Sequence, residues 1–290
     1  MASLAEWVEG ARPRTLPASI APVLGATGLA IGVHHFRPLL AVLAGVVSLA
    51  LQVGVNYAND YSDGIRGTDE DRVGPLRLVG SRLASPRAVR LAAVVAFGVA
   101  GVAGVVICAI VSWWLLLVGA VSIVAAWLYT GGKHPYGYYG FGEVFVFIFF
   151  GLVATLGAYY VQVLAVSPAA IAVAVGFGSF ITAILVANNL RDIPGDTQSG
   201  KRTLAVRMGD GPTRIFYTVL MLVGVAMFAL ALGWSWWLLS VLILCLLLIT
   251  PLRAVFAHAE GRALIPVLAG TSRMTLVAGL LGLVVFSLMR

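Results

Sequence analysis

The chain has 290 residues, of which 60% are apolar and only 11% charged. No soluble domain of this length buries so much apolar surface, so the composition excludes a water-soluble fold and makes a lipid bilayer the surrounding solvent. A formal net charge of +7 suits an anionic inner leaflet, and no basic stretch interleaved with aromatics argues for nucleic acid.

Apolar runs of the length that crosses a bilayer predict nine spans, at about 16–33, 39–59, 88–110, 112–130, 143–163, 168–190, 214–232, 235–255 and 268–289. The division between the third and fourth is the least distinct. The first run is not a cleaved leader by pattern: Glu6 and Glu9 precede it, Pro17 and Pro22 lie inside it, and eight spans follow. Glycine is abundant, as where membrane helices approach closely. Cys108 and Cys245 fall inside apolar spans without metal-ligand spacing and read as small buried hydrophobes; His34, His35, His134 and His258 are equally scattered. The expected fold is all-α: one membrane-embedded domain over residues 1–290, with nine transmembrane helices around a central cavity open toward the cytoplasm and the membrane. Loops at about 60–87, 131–142 and 191–213 would cap it.

Charge sets the orientation. Residues 1–15, 60–87, 131–142, 191–213 and 256–267 hold most of the Arg and Lys and nearly all the acids, whereas the alternate connections are short and almost uncharged. The positive-inside rule puts the N-terminus and the long loops in the cytoplasm. Arg273, near the start of the last span, is the outlier and is expected to snorkel to that surface.

Two polar strings close apolar spans at this end. Asn56-Tyr-Ala-Asn59-Asp60-Tyr61-Ser-Asp63 ends the second span, and Asn188-Asn189-Leu-Arg191-Asp192-Ile-Pro-Gly-Asp196 ends the sixth. Both spans run in the same direction, so both strings emerge on one side. Helical phase puts Asn56, Asp60 and Asp63 on one face, and Asn188, Asp192 and Asp196 close to one face. Pro194 and Gly195 are expected to bend or unwind the turn that carries Asp196. Acids beside hydrocarbon are costly and mark function, and two facing acidic rows repel unless cations intervene. Oxygen-only ligands select Mg2+, which bridges few carboxylates to a substrate phosphate. Arg66, Arg72, Arg77, Arg82, Lys133, Lys201, Arg202 and Arg207 lie in the same loops, which describes a diphosphate site. An apolar bundle beneath it would take a hydrocarbon tail, and an isoprenyl diphosphate combines the two.

The two strings, with Gly200-Lys201-Arg202-Thr203-Leu-Ala-Val-Arg207 after the second, resemble the aspartate-rich motifs of the UbiA superfamily of intramembrane prenyltransferases. Ala11-Arg-Pro-Arg-Thr-Leu-Pro17, Asp60-Tyr-Ser-Asp-Gly-Ile-Arg-Gly-Thr-Asp69 and Leu128-Tyr-Thr-Gly-Gly-Lys-His-Pro-Tyr-Gly137 resemble its menaquinone branch. The resemblance implies transfer of a polyprenyl group from polyprenyl diphosphate to 1,4-dihydroxy-2-naphthoate, with loss of CO2 and diphosphate, giving demethylmenaquinone. It implies Mg2+ held by Asp60, Asp63, Asp192 and Asp196, with Asn56 and Asn188 assisting. Arg66, Lys133, Lys201 and Arg202 would meet the diphosphate, Arg12 and Asn59 the acceptor, and Tyr129 the reacting centre. Asp69, Glu70 and Asp71 would sit in a capping loop or simply be solvated. The implied location is the inner (plasma) membrane. A UbiA-type enzyme with another acceptor, such as 4-hydroxybenzoate, is the alternative. A cation or solute transporter is more remote, because its charges would lie deep in several spans.

Overall fold

The computed structural model describes residues 2–67 and 76–289, and among them the fold is entirely helical. Asp69, Glu70, Asp71 and Arg72 lie outside the described residues. A short helix α1 (Leu4–Gly10) is opened by a reciprocal cap: the Glu6 N–H donates to Ser3 Oγ and the Ser3 N–H to the Glu6 carboxylate at 2.6 Å. A single 3-10 turn, Pro13–Thr15, leads into α2 (Leu16–Gly32). Then follow α3 (Pro38–Arg66), α4 (Pro86–Ile110) and α5 (Leu115–Leu128). Proline opens α3 and α4, where its missing N–H costs nothing, and Gly67 ends α3 in the left-handed conformation at φ 68°.

The next span is composite. Helix α6 (Gly142–Val146) passes through a π-helical stretch, Phe147–Val153, into α7 (Ala154–Val163). After it come α8 (Pro168–Gln198), the short α9 (Leu204–Met208), α10 (Asp210–Leu232), α11 (Val241–Phe256) and α12 (Ile265–Leu288). Eight stretches are long and apolar enough to cross a membrane, and α5 is a ninth, shorter apolar helix. The nine expected spans each find a helix, but the fourth has only 14 residues.

Helix α8 is the hub. Phe177 and Phe180 on it, Phe228 on α10 and Phe286 on α12 form one aromatic cluster, with Phe177 edge-on to Phe228 at 5.0 Å and Phe180 stacked on Phe228 at 5.8 Å. Lipid supplies no hydrophobic drive between helices, so close approach has to come from small residues. A Cβ on Gly28 of α2 would sit 2.3 Å from the Gly282 carbonyl of α12, and one on Gly151 would sit 2.3 Å from the Cα of Gly178. These contacts bind α2 to α12 and the π-helical stretch to α8. Cys108 is buried as its composition suggests, whereas Cys245 is exposed on α11, a helix whose apolar surface faces outward.

One end of the bundle is polar. Asn56 Nδ2 on α3 donates to the Ala11 carbonyl at 2.8 Å and to Thr15 Oγ1 at 3.0 Å. The Arg202 N–H donates to the Tyr138 carbonyl at 2.9 Å, joining the connection after α5 to the one after α8. Arg214 holds Asp210 at 2.6 Å and the carbonyls of Val255 and Ala259 at 2.9 Å, closing the α11–α12 connection against α10. The segments rich in charge thus meet at one end, and this is what alternation of spans predicts.

Candidate active site

A cavity of about 1390 Å3 opens among α2, α3, α4, α5, the α6–α7 span, α8 and α12. Along α3 its wall runs from Asp63 through Asn59, Asn56, Gln52 and Ser48 to Ala44. At 1.5 Å per residue that is a depth of about 28 Å, most of the hydrocarbon thickness. The deep part is walled by side chains such as Val105, Ile107, Leu116 and Val161, with polar residues concentrated at the shallow end. The shape suits an amphipathic ligand with a charged head and a long apolar tail.

The two acidic strings meet at the shallow end, but not all four acids enter it. Asp63 and Asp196 line the cavity. Asp63 is buried and joins three separate segments: Tyr138 O–H donates to it through a very short hydrogen bond, Arg77 lies at 3.4 Å and Lys201 at 3.6 Å. Lys201 follows the second string, so this last contact ties one string to the other. Its ammonium also lies 4.6 Å from the Tyr138 ring centroid, a cation–π contact.

Asp60 points elsewhere. Its two oxygens accept the Leu78 N–H at 2.7 Å and the Val79 N–H at 3.1 Å, so it braces the segment that returns after α3. Asp192 is gripped by its neighbour: Arg191 Nε and Nη2 reach its oxygens at 2.7 and 2.8 Å, and Arg191 also reaches Asn188 Oδ1 at 2.8 Å. Of the remaining expected residues, Asn56, Asn59, Asn188, Arg12, Tyr129 and Lys201 face the cavity. Asn59 Oδ1 accepts from Thr130 Oγ1 at 2.7 Å, which fixes its amide. Arg66 is exposed, and its guanidinium caps the carbonyls of Thr130 and Gly132 at the end of α5. Lys133 and Arg202 are exposed and outside the cavity wall. Their side chains project from the surface of the connections rather than into the interior.

The turn carrying Asp196 is not unwound. Helix α8 continues through Pro194 to Gln198, because later groups close its last turn: Thr197 Oγ1 donates to the Ile193 carbonyl at 2.7 Å and the Ser199 N–H to the Gly195 carbonyl at 2.9 Å. Asp196 therefore keeps helical phase with Asn188 and stays on the cavity side.

Several functional candidates have no signal in the string pattern. Tyr138 reaches Asp63 from a connection 75 residues away, and Arg77 from the one that follows α3. Tyr129, Tyr136, Phe145 and Phe149 form an aromatic wall within the cavity, with Tyr129 edge-on to Tyr136 at 5.5 Å and Tyr136 stacked on Phe145 at 4.1 Å. Tyr136 O–H donates to the Ala125 carbonyl at 2.8 Å, and burial pushes its phenol far above the usual tyrosine range. Behind it, the Glu143 carboxylate accepts from Asn189 Nδ2 at 2.9 Å and fixes a second cavity-lining amide. Arg273, expected to snorkel to the cytoplasmic surface, is exposed and lines the cavity on α12 with Ser272 and Leu276.

The donor set matches one type of metal. Among the described residues no three His, Cys, Asp or Glu side chains come together as a closed cage. Two carboxylates with neighbouring amide oxygens suit Mg2+, which leaves its other positions to phosphate oxygens and water. Acids and cations at one end of a deep apolar cavity in a lipid-embedded bundle define an integral membrane enzyme for amphipathic substrates.

The particular kind of enzyme follows from comparison. Residues 19–267 match the UbiA prenyltransferase family. The chain is 52% identical over 278 residues to the 1,4-dihydroxy-2-naphthoate octaprenyltransferase of Mycobacterium tuberculosis, covering 96% of this chain and 95% of that protein. It is 53% identical to the protein of the same name from Mycobacterium leprae, covering 93% and 92%. The fold is also that of a UbiA homolog from Archaeoglobus fulgidus, solved bound to DMAPP and Mg2+, with TM-score 0.63, 16% identity, and coverage of 96% and 99%. The chain belongs to the UbiA prenyltransferase family.

Proposed function

We propose that the protein transfers a polyprenyl group from polyprenyl diphosphate to 1,4-dihydroxy-2-naphthoate, releasing diphosphate and CO2. The observation that carries this reading is the convergence of Asp63, Asp196, Lys201 and Arg77 at the head of one cavity about 28 Å deep. The mycobacterial relatives supply the acceptor: their names specify the naphthoate.

Asp63 and Asp196, with the Asn188 amide, would hold Mg2+, which when bound neutralises charge on the diphosphate. Lys201 and Arg77, now drawn to Asp63, are placed to turn toward phosphate oxygens. As the C1–O bond of the donor breaks, its electron pair leaves with diphosphate and positive charge spreads over the allylic carbons. The faces of Tyr129 and Tyr136 stabilise that charge, and the apolar walls exclude water that would divert it to a prenyl alcohol. The ring of the acceptor attacks C1 in place of its carboxylate, which departs as CO2 and returns its bonding pair to the ring. The product is the quinol of demethylmenaquinone. Asp60 and Asp192 serve the site by fixing the Leu78–Val79 segment and Arg191. The polar end faces the cytoplasm in an inner (plasma) membrane, where both substrates' charged groups are in water.

The test incubates purified protein with Mg2+, a radiolabelled polyprenyl diphosphate and one acceptor at a time. Magnesium-dependent prenylation of 1,4-dihydroxy-2-naphthoate is expected. Product with 4-hydroxybenzoate and none with the naphthoate would overturn the acceptor.

A further inference from the structure

Three cations on the cavity wall have no part in the mechanism above: Arg12, which the resemblance gives to the acceptor, and the pair Arg14 and Arg273. Arg14, in the turn before α2, and Arg273, on α12, both line the cavity and both remain accessible. Ser272 Oγ donates to the Arg14 carbonyl at 3.0 Å, so the residue next to Arg273 touches the backbone of Arg14. No described carboxylate forms an ion pair with either side chain, and Glu9, which also reaches the cavity, pairs with neither. Elsewhere at this end of the molecule the cavity cations Arg77, Arg191 and Lys201 are each matched to an acid.

Depth distinguishes this pair from surface anchors. Arg273 is eight residues into α12, about 12 Å along its axis. Arg14 belongs to the turn that Asn56 holds through Ala11 and Thr15, and Asn56 lies seven residues, about 10 Å, deeper in α3 than Asp63. Both cations therefore sit one to two turns below the acids. The rest of the cavity row of α12 is Ile265, Leu268, Ala269, Ser272 and Leu276, mostly apolar. Two neighbouring cations on an accessible cavity wall, with no described carboxylate paired to either, suit a ligand that brings an anion.

We propose that Arg14 and Arg273 form an entry subsite that captures the carboxylate of an aromatic acid, while its ring lies on the apolar row of α12. This rests on the reading of the protein as an aromatic prenyltransferase and assigns a place to its acceptor. The acids above repel a free carboxylate, so the subsite steers the acceptor in beneath the diphosphate. Because the pair is accessible, capture is reversible, and the carboxylate is released from it before CO2 is lost.

The test separates binding from turnover. Equilibrium dialysis compares 2-naphthoate with 2-naphthamide on wild type, Arg14→Gln, Arg273→Gln and Arg273→Lys, in detergent with and without phosphatidylglycerol. Wild type is expected to favour the carboxylate about tenfold, both Gln variants to lose that preference, and Arg273→Lys to keep most of it. In turnover, the Gln variants are expected to raise KM for the naphthoate about tenfold, with KM for the prenyl diphosphate unchanged. Binding does not depend on which acceptor is prenylated, so failure of the acceptor assignment leaves this result standing. Unchanged preference in both Gln variants would overturn the subsite. So would loss of co-purifying phosphatidylglycerol from them with 2-naphthoate binding intact, which would assign the pair to a lipid phosphate.

Discussion

The two acidic strings look alike in sequence and are built differently. The string on α3 is fixed by other parts of the chain: backbone N–H groups of Leu78 and Val79 hold Asp60, and Tyr138, Arg77 and Lys201 gather on Asp63. The string on α8 grips itself, with Arg191 bridging Asp192 and Asn188 within one turn of the same helix. In each, the acid farther along the chain faces the cavity and the earlier one holds its surroundings in place. Similar spacing thus conceals a difference in support: the α3 acids are held from other segments, whereas Asp192 and Asn188 are bridged within their own helix and Asn189 reaches across to Glu143.

The largest effect that sharpens this contrast is on turnover. Asp63→Ala and Asp196→Ala are each expected to lower kcat/KM by about 10^2–10^3-fold or more, read by product formation, with membrane insertion and elution profile unchanged. Near-normal activity in either would remove that residue from the metal and diphosphate site. Next comes Asp60→Asn, which leaves one acceptor oxygen for two buried N–H groups. It is expected to destabilise the protein by about 1–3 kcal/mol, with faster proteolysis near Leu78. Lost activity with unchanged thermal stability would instead make Asp60 a direct ligand. Asp192→Asn keeps the shape of the helical cluster, so its stability loss is expected to be the smaller of the two. Packing offers an independent control: Gly28→Ala forces α2 from the Gly282 carbonyl and is expected to cost about 1–3 kcal/mol, measured as a lower melting temperature. The smallest effect is expected from Lys133→Ala and Arg202→Ala, both outside the cavity, whose kcat/KM should stay within about twofold of wild type.

The spans and the meeting of the strings were legible because both follow from apolar length and charge placement, which the chain writes locally. Asp63, Asp196 and the asparagines face the cavity for the same reason: helical phase carries a residue's direction along an uninterrupted α3 or α8. The contacts of Asp60 were not legible, since its partners are backbone N–H groups, and every residue but proline has one. Tyr138 escaped because its partner lies on another element, reached only when the connections fold over the cavity, whereas Arg77 was among the cations expected there. Pro194 misled, since the hydrogen bonds of Thr197 and Ser199 that keep the helix intact come after it. Arg66 and Lys133 lie off the cavity wall: Arg66 caps the end of α5 with its guanidinium over the Tyr138 ring, and Lys133 is exposed.

The central claim is that both strings serve one metal and diphosphate site. Magnesium-dependent binding of a polyprenyl diphosphate, measured by calorimetry on wild type, Asp63→Asn, Asp196→Asn and the double variant, tests it most directly. Each single variant is expected to lose nearly all of the magnesium-dependent affinity, with the double variant little worse than either one. Losses that simply add, or a single variant that binds as wild type does, would contradict a shared site.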